Sequence, residues 1–274
     1  MKIITDSCSD LTKEYVSAHD ITVLPMTITF GEEQLKDGID IDYDGFYTRL
    51  EKELPKTSQV GPYDFKEAFK NANDDVLCIT VSGNLSGTYQ SACIAAKDFD
   101  NVCVIDSTQV CIAEGIIVEY AVMLKEQGLD YNTVCNKTRE KVSDACVIAA
   151  VDTLEYLQKG GRLSKTAAAA GILLSIKPVI TVESGEIKIL GKARGYNKAN
   201  NMLKEYVNAH GIDFDLPFEL AYSGNDRGLL DQYIQNSKDL YSTYDKELPI
   251  ARIGSTIGTH AGPGTVGLAF FKKA

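Results

Sequence analysis

Val76-Leu77-Cys78-Ile79-Thr80-Val81 runs directly into Ser82-Gly83-Asn84-Leu85-Ser86-Gly87-Thr88-Tyr89-Gln90. Six uncharged, mostly β-branched or apolar residues read as a strand buried on both faces, as in a helix-covered parallel sheet. The loop behind it is rich in hydroxyls and glycines, and Thr88 to Lys97 reads as a helix with Ala92, Ala95 and Ala96 on one side. Ligands of open α/β sheets collect where loops leave the carboxyl ends of strands. Free N–H groups and the dipole at a helix start also favour an anion there. This loop therefore seats something negative, or it is a plain tight turn.

The flanking segments continue the alternation. Lys2 to Thr5 is a strand emptying into Asp6-Ser7-Cys8-Ser9-Asp10, followed by a helix over 11–19. Val23 to Phe30 reads as one strand, with a turn at Gly31-Glu32. Helices are expected over 42–54, 63–71, 113–127 and 131–142, the third long and amphipathic, with strands at 102–105 and 146–151. This pattern predicts a mostly parallel sheet covered by helices. The second half differs. Pro178 to Val182 and Ile187 to Leu190 make a hairpin through Glu183-Ser184-Gly185-Glu186. Helices over 196–209 and 228–237 and strands at 218–222, 250–253 and 268–271 follow, which predicts a mixed sheet. The fold class expected is α/β, in two domains: 1–150, carrying the hydroxyl-rich loops, and 151–274, closing over a ligand between them.

At 274 residues, with 44% apolar and 24% charged side chains, the chain has ordinary globular composition. A formal charge of −10 argues against a nucleic-acid partner, which would require an excess of Lys and Arg. The seven cysteines contain no C-x-x-C pair and sit mostly in apolar runs, as free thiols of a reducing compartment do. No integral membrane segment is expected, since the smoothest apolar run, 167–176, is half the ~20 residues a spanning helix needs. With no basic and apolar leader before the first strand, the expected location is cytoplasmic.

Most motifs that look like chemistry fail on context. Gly262-Pro263-Gly264-Thr265-Val266-Gly267 spells G-x-G-x-x-G, but it opens a strand rather than a helix and has only seven residues after it. Gly83-Asn84-Leu85-Ser86-Gly87 places its serine one position late for a nucleophile elbow, and no Lys follows for a P-loop. No metal site is expected, because no histidine shares a helical face with a carboxylate at ligand spacing. One catalytic reading stays open: Ser86 as nucleophile with His260 as base, in a hydrolase or transferase that would need an orienting acid. Lys159 and Arg162 around a Gly-Gly break, and Lys192 and Arg194 in a glycine-bounded loop, are the notable cations.

Taken together, several stretches resemble the DegV family of fatty-acid-binding proteins. They are Thr5-Asp6-Ser7, Lys56-Thr57-Ser58-Gln59, Leu85 to Ala92, Asp106-Ser107, Leu157 to Ser164, Ile176-Lys177-Pro178 and Thr259 to Gly267. The resemblance spans essentially the whole chain in order. It implies a long-chain fatty acid held between the two domains and no other cofactor. It also implies that the chain is no enzyme itself, but presents the carboxylate to a separate ATP-using fatty acid kinase subunit, which makes the acyl phosphate. Carried over by position, the carboxylate contacts fall on Thr57 and Ser86 with His260 alongside, Ser58 and Gly87 completing the anchor. Arg162 and Arg194 match basic positions expected to face the kinase. The chain departs from the family where Val60-Gly61 delays the proline that usually follows Thr-Ser-Gln, and where Cys8-Ser9 and Cys111 replace commoner residues. A third reading is a binder of another small amphipathic anion. For a fatty acid, hydroxyls and N–H groups orient the head, and the buried tail, at ~0.8 kcal/mol per CH₂, supplies the affinity.

Overall fold

The computed structural model describes residues 1–163 and 175–273. In chain order its strands are β1 (Lys2–Asp6), β2 (Ile21–Leu24), β3 (Thr27–Phe30), β4 (Glu33–Lys36), β5 (Lys56–Ser58), β6 (Val76–Thr80) and β7 (Val102–Asp106), then β8 (Ala145–Ala150), β9 (Ile176–Glu183), β10 (Glu186–Arg194), β11 (Phe218–Tyr222), β12 (Ile250–Arg252) and β13 (Val266–Phe271). The uncharged strand β6 is buried at every position and lies inside a four-stranded sheet of order β2-β1-β6-β7. All three pairings in that sheet are parallel, as its flanking helices require.

The second sheet has six strands in the order β10-β9-β8-β13-β11-β12. It is mixed: β11 and β12 run parallel, and every other pairing is antiparallel. The hairpin turn Ser184-Gly185 uses positive φ at both positions, which suits the twist of a two-residue connection. β8 lies within this sheet, on the N-terminal side of the division expected at residue 150. Two α/β layers with a parallel and a mixed sheet are thus the fold.

Three features differ from the sequence reading. The run 23–30 is not one strand, because Pro25 and Met26 separate β2, in the parallel sheet, from β3. β3 instead centres a small antiparallel sheet, β4-β3-β5, whose third member carries no strand pattern in sequence. The glycine-rich tail contains a helix, Ser255–Ala261, hidden from sequence by its Gly, Ser and Thr content. Lys192 and Arg194 lie on β10 rather than in a loop. After the paired glycines the sequence also suggests a new helix from near Ser164, a stretch that lies outside the described residues.

The helix Ile112–Glu126 joins the layers. It was expected to be amphipathic, yet Ile112 to Val118 are all buried, as are Ala121, Val122 and Leu124. The reason is that it touches β1 and β6 of one sheet and β8, β11 and β13 of the other. Ile3, Leu77 and Ile79 accordingly share one apolar cluster with Val147, Val182, Ala221 and Phe271. The delayed proline is accommodated locally: Gly61 caps the helix Pro62–Ala72 and Pro62 takes its first position, where no N–H is needed.

Candidate functional site

Between the sheets lies a cavity whose empty space, its open mouth included, is about 960 Å³. Its walls are mostly apolar, among them Met26, Val81, Val110, Ile112, Val147 and Ile180. One row of small residues crosses the six-stranded sheet in register. Ala149 pairs with Gly267, Gly267 with Ala221 and Ala221 with Ala251, so these four share one face. The first three line the cavity and make room there that larger side chains would fill.

The polar lining is gathered from four distant parts of the chain. β5 presents Thr57 inward, and the helix Ser255–Ala261 brings His260 to it, with Thr57 Oγ1 2.9 Å from His260 Nε2. Ser86 comes from the loop behind β6, and Arg162 from the Gly-Gly turn; all four line the cavity, as does the otherwise exposed Ser58. Ser86 Oγ sits 2.9 Å from Thr88 Oγ1 and accepts the Thr88 N–H at 3.3 Å, so it is fixed by the helix start it precedes. Gly87 is not on the wall. A Cβ there would come within 2.0 Å of Gln59 Oε1, and its bare Cα accommodates the amide that bonds Ser91.

Burial, followed by the nearby Arg162 guanidinium, pushes His260 down to about 4, so the ring is neutral at ordinary pH. Its Nδ1 is buried and has no hydrogen-bond partner among the described residues. That nitrogen presses on Gly160, where a Cβ would lie only 2.1 Å from it; this contact explains the glycine in the Lys159-Gly160-Gly161 turn. An orphaned buried lone pair is tolerated better than an orphaned N–H. The network therefore assigns the proton to Nε2, which donates to Thr57 Oγ1 and leaves the Thr57 hydroxyl hydrogen free for the cavity.

Arg162, read as a partner-facing cation, is half-buried and borders both the cavity and a neighbouring surface groove, with Nε donating to the Leu85 carbonyl at 3.1 Å and Nη1 to the Gly160 carbonyl at 2.6 Å. The paired glycines turn the chain so sharply that the side chain points back over the Ser86 loop. Arg194 is exposed at the end of β10 and takes no part in the lining. Ser86 and His260 do not pair as nucleophile and base: Ser86 bonds Thr88, His260 bonds Thr57, and no described carboxylate reaches Nδ1.

Sequence reasoning missed the groups that hold His260 in place. Asp37, buried just after β4, accepts the Ser255 and Thr256 N–H groups at 3.1 Å each and the Ser7 hydroxyl at 3.0 Å. Asp10 accepts the Gly254 N–H at 2.8 Å, and burial raises its carboxyl to about 8. The acceptors for the start of the His260 helix thus come from more than 200 residues away. No local pattern announces them. The loop behind β6 is likewise tied across the interface: Ser82 Oγ donates to the Gly185 carbonyl and Asn84 Nδ2 to the Ser184 carbonyl.

Fold and site together define a two-layer α/β protein with an apolar internal cavity and one polar patch. A family model described as "Uncharacterised protein, DegV family" matches residues 1–273. A DegV domain-containing protein of Caldanaerobacter subterraneus subsp. tengcongensis is 34% identical over 283 residues, covering 99% of this chain and 98% of that one. The chain belongs to the DegV family. Among solved structures, one described as fatty acid binding of a DegV family protein from Thermus thermophilus superposes with a TM-score of 0.88 at 31% identity, covering 99% of both chains. A stearic-acid-binding protein from Eubacterium ventriosum gives 0.85 at 31% identity, covering 99% of this chain and 98% of that one. Among the described residues no helix is long and apolar enough to cross a membrane.

Proposed function

We propose that this chain binds one long-chain fatty acid in the cavity, with its carboxylate at Thr57 and Ser86, His260 alongside orienting the Thr57 hydroxyl, and its tail along the apolar walls. Ser58 lies beside the anchor, and Arg162 adds positive field to it. The observation that carries this reading is that Thr57, Ser86, His260 and Arg162, from four distant stretches of the chain, line one mostly apolar cavity, with Thr57 hydrogen-bonded to His260. The fatty acids named for the Thermus and Eubacterium proteins support the ligand class. Hydroxyls alone are a weak counter-charge, and Arg162 already spends two donors on backbone carbonyls, so the head is oriented without a bidentate clamp.

That arrangement suits the second part of the proposal, in which the chain presents the carboxylate to a separate ATP-using kinase subunit for conversion to acyl phosphate. A carboxylate oxygen left without a bidentate partner remains available as a nucleophile. A surface groove lined by Asn84, Gly161, Arg162, Lys188 and Lys192 shares Leu85, Arg162 and Ile187 with the cavity, and the exposed Arg194 lies on the same strand as Lys192. We place the docking face there. The expected units, 1–150 and 151–274, would close over the ligand from either side.

Thr57→Ala and Ser86→Ala test the anchor. Each removes one hydrogen bond to a charged acceptor, worth ~1.5 kcal/mol, so each should weaken fatty acid binding about tenfold. Circular dichroism should show an unchanged fold. Undiminished affinity in both variants would place the head group elsewhere. For the second part, acyl phosphate should form from ATP only when kinase subunit and lipid-loaded chain are mixed, and formation without the chain would contradict a carrier role.

A further inference from the structure

All seven cysteines are free thiols. Cys8, Cys78, Cys111, Cys135 and Cys146 are buried, and for Cys8, Cys78, Cys111 and Cys146 burial is what chiefly holds the thiol above the ordinary range. Such thiols are poor nucleophiles. Cys103 is placed differently. It lies on β7, the edge strand of the parallel sheet, where no further strand covers it, and it is partly exposed.

The helix Tyr131–Lys141 lies beside this edge and contributes two residues to it. Cys135 and Arg139 are four positions apart and so share a helical face. Arg139 Nη2 donates to Cys103 Sγ at 3.1 Å, and Cys103 packs against the apolar cluster that contains Cys135, four positions before that arginine on the same helical face. The Cys135 thiol, reinforced by Arg139, brings the Cys103 thiol down to about 7 against the opposing effect of burial. Cys135 is pushed up in turn. A partly exposed thiol beside a guanidinium, with a second thiol on the facing helix, is the arrangement that oxidation-sensing cysteines share.

We propose that Cys103 and Cys135 form a peroxide-reactive dithiol, with Cys103 as the attacking sulfur and Cys135 as the resolving one. The Cys103 thiolate attacks a hydroperoxide. A sulfur–oxygen bond forms, the oxygen–oxygen bond breaks, and the departing oxygen takes a proton and leaves as water or an alcohol. The Cys135 sulfur then attacks the sulfenic acid; the disulfide forms, and the hydroxyl leaves as water with the Cys135 proton. Two electrons pass from the two thiols to the peroxide. The product bond pins the helix to the sheet edge, and neither cysteine lines the fatty-acid cavity, so the proposal stands apart from the binding function.

The test uses the reduced full chain and stoichiometric hydrogen peroxide. The intact mass should fall by about 2 Da, and non-reducing peptide mapping should join Cys103 to Cys135. Cys135→Ser should halt the reaction at a Cys103 sulfenic acid that dimedone traps. Arg139→Gln should slow alkylation of Cys103 at pH 7 by up to roughly tenfold, through loss of thiolate. Cys93 is also partly exposed and serves as the internal reference. Faster labelling of Cys93 than of Cys103, or peroxide oxidation that leaves Cys135 unpaired in the wild-type chain, would overturn the proposal.

Discussion

Gly267→Val is expected to abolish tight binding of a long-chain fatty acid while leaving the protein folded. Gly267 lies on β13 between Ala149 and Ala221, in the row of small residues that lines the cavity. A Cβ at this position would meet Ala149 Cβ at 3.6 Å and the Ile148 carbonyl at 3.8 Å, ordinary contact distances that the sheet tolerates. Valine also prefers strand geometry. The added methyl groups therefore enter the space proposed for the acyl chain rather than straining the backbone. Displacing about four methylenes forfeits ~3 kcal/mol, on the order of a hundredfold in affinity. Shorter acids that stop before the obstruction should lose much less. Titrations with acids of increasing length read this directly: equal weakening at every length would mean that the tail does not pass Gly267.

Asp37→Ala should give the largest loss of stability among changes outside the apolar core. Its carboxylate satisfies two buried N–H groups at the first turn of the helix that carries His260, and it also holds Ser7. Removing it strands both amides, at ~1–3 kcal/mol each. A total on the order of 3 kcal/mol corresponds to a fall in Tm of roughly 10 °C for a chain of this size. Asp37→Asn keeps one acceptor oxygen and should fall between. Because His260 rides on the same short helix, fatty acid affinity should decline together with Tm. A Tm within about 2 °C of wild type would show that water replaces the carboxylate.

These expectations separate what the chain declares locally from what only folding assembles. β6 was legible because an uncharged run of six residues has few alternatives to a central strand, and the hairpin of β9 and β10 was legible from its Ser-Gly turn. Both depend on neighbours in sequence. β5 was not, since Lys56-Thr57-Ser58 carries no apolar pattern and becomes a strand only by pairing with β3. The helix Ser255–Ala261 was obscured for a similar reason: its residues favour turns, and its amides find acceptors on Asp10 and Asp37 rather than on a capping side chain of its own.

The site divides in the same way. The family resemblance singled out Thr57, Ser86, His260 and Arg162; all four line the cavity, and Arg162 also borders the surface groove. What turns that side chain inward is the Gly160-Gly161 geometry and the carbonyl of Leu85, a contact across 77 residues. Gly87 stands in the right loop but makes room for Gln59, which composition alone does not reveal. The positions that shape specificity in this account, Ala149, Ala221 and Gly267, are unremarkable in sequence. Their meaning comes from register across three strands.

The central claim is that one fatty acid occupies the cavity, and its most direct test is mass spectrometry of the natively purified chain. Under native conditions the account predicts one added mass per chain, released on denaturation and identified in the organic extract as a long-chain fatty acid. A chain that carries no lipid and takes up none when offered, or one that yields a short polar ligand from the same cavity, would contradict it.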